Sequence, residues 1–259
     1  MAMKTASLKV KRVARWFQEQ PRALTVAVAA FVLISVLVAL NLYVRDHAKL
    51  YFAAEATHSL GVVILLYRAI KKRTCSGLSL RSQELTALFL VARMPGMYFT
   101  GYHVFTAIDA VAAIATASVV YLMRFKLRAT YNKELDNMSS YYTVVPAAVL
   151  AVLVHPPSDH GRLVGVFWAF SVYLKTVSVW PQLHLIKNEK TVEPITAHYV
   201  FALGVARFLS FAHWAILVYV TRGVYLFLIG GFMWILLSFI SEIVYAFILV
   251  DFCYYYVKR

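Results

Sequence analysis

Arg93, Lys175 and Arg207 each interrupt a long apolar run. A charge in such a run is costly unless it is paired or faces water, so these three mark a candidate binding site or polar pathway. Two of them belong to a repeated pattern. Leu85–Arg93 (LTALFLVAR) aligns without a gap with Tyr199–Arg207 (YVFALGVAR), and the two arginines lie 114 positions apart. Each copy is approached through a basic, polar turn and a Ser- or Thr-bearing helix start. Such a duplication suggests two halves of a membrane bundle, each sending one arginine to the same depth. Met94-Pro95-Gly96 predicts a helix break straight after Arg93, freeing backbone groups that must line protein or water.

Acidic partners are few. Glu55 and His58 are three apart and share a helix face, which must look into the bundle or a watery cavity rather than at lipid. Two readings of His58 stay open: a proton sensor between pH 5 and 8, or half of a polar pair touching water at the helix edge. Glu55, Asp109 and Glu242 are all candidate partners of Lys175, and spacing does not choose among them. Arg207, Ser210 and Trp214 fall on one side of their helix, and Pro181-Gln182 opens the second copy of the repeat. No nucleophile is paired with histidine at a familiar spacing. There is no phosphate-cradling glycine loop and no HExxH, so an enzyme is not expected. No cofactor is expected, and His155 and His160 read as loop residues rather than metal ligands.

The elements that must position these groups are membrane helices. The 259 residues are 61% hydrophobic and only 15% charged, with mean hydropathy +0.68; a soluble domain of this size could not hide so much apolar surface. At about 20 residues per span, eight segments emerge, roughly 23–44, 50–68, 84–101, 104–123, 141–155, 163–182, 196–220 and 224–252. The fifth is short. The runs are too long and continuous for barrel strands. A net charge of +14 would suggest nucleic acid in a soluble protein. Here it orients the chain: with a cytosolic N-terminus, 19 of the 26 Lys and Arg fall in cytosolic segments and four on the other side. That asymmetry predicts an even number of spans with both termini cytosolic. The first apolar segment follows a basic leader and no cleavage site, so it reads as a retained anchor. The leader either lies on an anionic leaflet or simply sets topology. Cys75 and Cys253 both fall on the cytosolic side, where no structural disulfide is expected.

Several short motifs, in order and at nearly constant spacing, resemble the KDEL receptor family, the ER lumen protein-retaining receptors. They are His58-Ser59-Leu60, Cys75-Ser76-Gly77-Leu78-Ser79, Ser82-Gln83, Phe125-Lys126 with Ala129-Thr130-Tyr131, Val144-Val145-Pro146, Trp168 to Leu174, Pro181-Gln182-Leu183, Ile195-Thr196 with His198-Tyr199, and Asp251-Phe252. Ala53-Ala54-Glu55-Ala56 and Val192-Glu193-Pro194, with the extra N-terminal span, look like the longer branch found in plants and related eukaryotes. The resemblance implies an all-α polytopic fold: residues 1–48 as leader and extra helix, then 49–259 as a seven-helix core of two three-helix bundles and a linker helix, akin to SWEET and PQ-loop proteins. It implies a multi-pass receptor of the endoplasmic reticulum and Golgi membrane. Such a receptor would bind C-terminal KDEL- or HDEL-type peptides in the Golgi lumen and return soluble proteins to the ER. Ligand binding would fall to Arg93, Trp168, Lys175, Arg207 and Trp214, pH sensing to His58, and return transport to Asp251. Retrieval-signal peptides, membrane lipids and the COPI coat are the implied partners.

The departures are specific. Tyr51 and Leu217 replace two ligand-pairing arginines of the family. Gly96 and Gly165 stand at acidic positions that face the peptide's lysine, and Lys175 and Ala206 replace a buried Glu–Tyr pair. Lys258-Arg259 close the sequence without the longer lysine-bearing tail used for coat recruitment. Two cationic partners fewer should weaken recognition of carboxylates, at about 1.5–3 kcal/mol per charged hydrogen bond; Lys175 restores one charge. The alternatives are a small-solute transporter of PQ-loop or SWEET type, taking an anion at the three buried cations, and a receptor-derived protein whose ligand specificity is altered or lost.

Overall fold

A computed structural model describes residues 48–188, 194–222 and 232–258; the expected first span, 23–44, and the basic leader lie outside them. The described residues form helices joined by turns and irregular loops. In chain order they form α1 Ala48–Lys72, α2 Leu80–Phe99, α3 His103–Tyr121, α4 Tyr141–Leu153, α5 Arg162–Val177, α6 Trp180–Asn188, α7 Pro194–Val220 and α8 Phe232–Lys258. A π-turn, Leu122–Lys126, prolongs α3. Helices α5 and α6 meet at 178–179 and make one apolar span, Arg162–Ile186. The result is an all-α membrane protein with seven helical rods among the described residues. Four of them are long and apolar enough to cross a bilayer alone. Side chains such as Leu60, Val91, Ile114, Leu153 and Phe247 point outward, the pattern expected when lipid is the solvent.

Helix α1 packs along α7 and α3, α2 against α3 and α5, α4 against α5, and α8 against α5 and α7. The approach of α1 to α7 is close: a Cβ on Gly61 would lie 2.7 Å from Ala202 Cβ. Small residues at a crossing are how membrane helices gain packing energy.

The element starts have local causes. Ser79 caps α2, its hydroxyl accepting from Ser82 N–H at 3.1 Å, so the helix begins earlier than the apolar run alone predicts. The expected break after Arg93 does not occur. Helix α2 runs through Pro95 to Phe99, because proline removes one ladder donor but keeps a helix-compatible φ, and membrane helices accept that loss. The turn ahead of α2 is clamped from elsewhere. Gln182 Nε2 donates to Gly77 O at 2.7 Å and its Oε1 accepts from Ser79 N at 2.8 Å. Ser82 Oγ donates to Ser178 O at 2.6 Å. From the α3–α4 loop, the buried carboxylate of Asp136 accepts from Ser79 Oγ at 2.8 Å, from Tyr131 OH at 2.7 Å and from Arg81 N at 3.2 Å. Burial, and then the bond to Asp136, push the Tyr131 phenol up. This end carries the clustered basic residues Arg68–Arg73, Arg81 and Arg124–Lys133.

Candidate functional site

The expected inward face of α1 is inward: Glu55 and His58 are each 4% exposed. Glu55 is the hub of an ion cluster drawn from four helices. Arg93 on α2, 3% exposed, forks onto it, with Nη1 3.0 Å from Oε1 and Nη2 2.7 Å from Oε2. Lys175 on α5 reaches the same Oε1 at 3.0 Å. Arg93 also clasps Asp109 on α3, its Nε donating to Oδ2 at 2.8 Å and its Nη2 to Oδ1. The Tyr51 hydroxyl on α1 lies 3.5 Å from Nη1. Two cations and two carboxylates thus cancel inside the bundle. Bidentate geometry on both carboxylates supplies the hydrogen bonds that make burying such charges tolerable.

Among the three candidate partners, the structure gives Lys175 to Glu55 and gives Asp109 to Arg93. The second pairing had a readable signal. Arg93 lies eight residues before Gly101 and Asp109 eight after it, so the α2–α3 hairpin sets them side by side. Gly101 takes φ 81°, a turn geometry that favours glycine.

Above the cluster is a cavity of about 270 Å³ lined by Arg93, Lys175, Trp168 and Trp214, four of the five expected ligand residues, with Tyr51 and Glu242. Arg207, the fifth, does not line it. Its guanidinium stacks on the Tyr245 ring at 4.1 Å, and its Nε is a buried donor without a hydrogen-bond partner among the described residues. His58 also stays off the cavity wall, its ring 6.2 Å from that of Phe89. Asp251 is carried on α8, and its side chain lies outside the described residues. Tyr102 and Trp234 also reach the cavity. Among the described residues no cluster of metal-ligating side chains is present.

Trp168 separates this cavity from a second one of about 460 Å³, lined among others by Gly96, Gly165, Asp159 and His160. Both glycines are there for space. The indole of Trp168 lies where a Cβ of Gly96 would be, and the carbonyl of Pro156 where a Cβ of Gly165 would be. The indole can shift and the backbone carbonyl cannot. Gly165→Ala is therefore expected to lower thermal stability in detergent by about 1–3 kcal/mol, the usual cost of overpacking. A Tm within 1 °C of the parent, on the order of a few tenths of a kcal/mol, would show that the α4–α5 loop yields.

With this geometry in hand, comparisons with known proteins converge. The family model described as ER lumen protein retaining receptor matches residues 74–217. The ER lumen protein-retaining receptor erd-2.1 of Caenorhabditis elegans is 35% identical over 210 residues, covering 80% of this chain and 92% of that protein. Its relative erd-2.2 is 40% identical over 163 residues, 62% of this chain and 75% of that protein. ER lumen protein-retaining receptor 2 of Danio rerio is 32% identical over 206 residues, 79% and 91% of the two chains.

Proposed function

Because the chain belongs to the ER lumen protein-retaining receptor (KDEL receptor) family, whose members are non-enzymatic transmembrane receptors, we propose that it captures C-terminal retrieval-signal peptides of soluble ER proteins. In this reading it binds them in the Golgi lumen, with a specificity altered from the Lys-Asp-Glu-Leu type, and returns them to the ER. The observation that carries it is the convergence of Arg93, Lys175, Trp168 and Trp214 on one cavity. That cavity lies towards the end of the bundle opposite the clustered basic residues, which the charge asymmetry assigns to the lumen with both termini cytosolic. A free peptide carboxylate entering there would find Lys175 on the wall and indole rings to pack against.

Within this proposal α1–α3 and α5–α8 are the two three-helix bundles, α4 is the linker, and residues 1–48 add the leader and span of the longer branch. Arg207 supports the site from behind Tyr245, His58 senses the lower Golgi pH one turn from Glu55, and Asp251 and the COPI coat serve the return step. The test is binding of labelled C-terminal peptides, KDEL, HDEL and charge variants, free and amidated, near pH 5.5 and pH 7.4, spanning the imidazole range. Binding should require the free α-carboxylate and be tighter at the lower pH, and His58→Ala should erase the pH difference. If no free-carboxyl peptide binds at either pH, the receptor reading is wrong.

A further inference from the structure

The cavity wall offers less positive charge than the sequence promises. A guanidinium has five N–H groups, and Arg93 spends all five: one Nη1 proton and one Nη2 proton on Glu55, Nε and the second Nη2 proton on Asp109, and the second Nη1 proton facing the Tyr51 hydroxyl. Arg93 thus contributes to the wall without a donor to give. Lys175 does have donors to give, since an ammonium has three, its one described hydrogen bond is to Glu55, and the residue lines the cavity. Glu242 on α8 lines the same cavity. The one hydrogen bond described for Glu242, from Ser210 Oγ, is long at 3.4 Å.

The remaining charged group nearby, Arg207, is held on Tyr245. Among the described residues, and counting imidazoles as neutral, Arg93, Lys175 and Arg207 balance Glu55, Asp109 and Glu242. A peptide end with two acidic side chains and its terminal carboxylate would bring three negative charges. It would meet one available cation and one opposing carboxylate. An end with one carboxylate and one side-chain ammonium adds no net charge, and aromatic rings such as those of Trp168 and Trp214 on the wall favour a nearby cation.

We propose that this cavity selects peptide C-termini that carry a basic side chain beside the terminal carboxylate, the carboxylate on Lys175 and the cation on Glu242, in place of an acidic signal. The proposal rests on the receptor reading and names the ligand class of that same cavity.

The experiment measures binding of fluorescent octapeptides to the full-length protein in nanodiscs. The peptides differ only at their ends: Ala-Ala-Ala-Leu, Ala-Lys-Ala-Leu and Ala-Asp-Glu-Leu, each free and amidated. The lysine peptide should bind at least about tenfold more tightly than the alanine peptide, the effect of one charge-assisted contact. The acidic peptide should bind more weakly than the alanine peptide. Glu242→Gln, which preserves shape, should remove the lysine preference. Tighter binding of the acidic peptide than of the alanine peptide overturns the proposal and leaves the receptor reading intact. So does a lysine preference that survives in Glu242→Gln. Absence of binding by every free-carboxyl peptide overturns both.

Discussion

Glu55→Ala is expected to destabilise the protein by about 3–5 kcal/mol, the cost of leaving buried charge without its partner. The size follows from the position of this carboxylate. It takes both Nη atoms of Arg93 and the ammonium of Lys175, so its loss strands parts of two cations and leaves the cluster with a net positive charge inside the bundle. Lys175→Met should cost less than half as much. Glu55 and Asp109 then still hold Arg93, and the excess negative charge lies on a carboxylate already bonded twice. Adding Lys175→Met to Glu55→Ala should recover part of the loss, because only Arg93 and Asp109 then remain, and they form a balanced pair. Denaturant titration in detergent, followed by tryptophan fluorescence, measures all three. A loss below about 1 kcal/mol for Glu55→Ala would mean that water reaches the cluster and screens it, as at an exposed pair.

The parts of the molecule legible in the sequence are those set by one segment's own chemistry. The long apolar runs fix helices α1, α3, α7 and the α5–α6 span. The short run at 141–155 fixes a short α4. The reading that failed locally was the break at Pro95. A proline in a soluble helix often ends it, but here neighbouring helices hold the segment and only one ladder bond is lost. What was not legible depends on pairs from separate helices. Lys175 had three possible carboxylates, and only the assembled bundle, which brings its Nζ within 3.0 Å of Glu55 Oε1, selects one. Asp136 gave no signal, since a lone aspartate in a basic loop looks solvated until the fold carries it to the start of α2. The cavity itself was half legible. Charges inside apolar runs pointed to Arg93 and Lys175, and the family resemblance added Trp168 and Trp214, but the sequence could not show that Arg93 holds Glu55 and Asp109 at once. It also gave no reason to place Arg207 away from the wall, because matched depth along two helices does not fix which way a side chain turns.

Gln182→Ala is expected to cost about 2–4 kcal/mol, each buried backbone group left unsatisfied costing roughly 1–3 kcal/mol. Gln182 is 1% exposed and uses both ends of its amide on one turn, accepting from Ser79 N and donating to Gly77 O. Gly77 sits at φ 74°, so that turn has a conformation other residues rarely adopt, and it cannot rearrange cheaply to find new partners. Two replacements separate the roles. Gln182→Glu keeps an acceptor for Ser79 N but sets a carboxylate against the Gly77 carbonyl, so it should cost at least as much as alanine. Gln182→Met fills the volume without either bond and should match alanine, because the loss is polar rather than steric. The turn leads directly into α2, which carries Arg93, so loosening it should also make 73–79 a protease-sensitive site in the folded protein. Limited proteolysis at equal occupancy of the folded state checks this. Equal cleavage of parent and Gln182→Ala would mean that the Asp136 bonds to Ser79 and Arg81 hold the turn without help from Gln182.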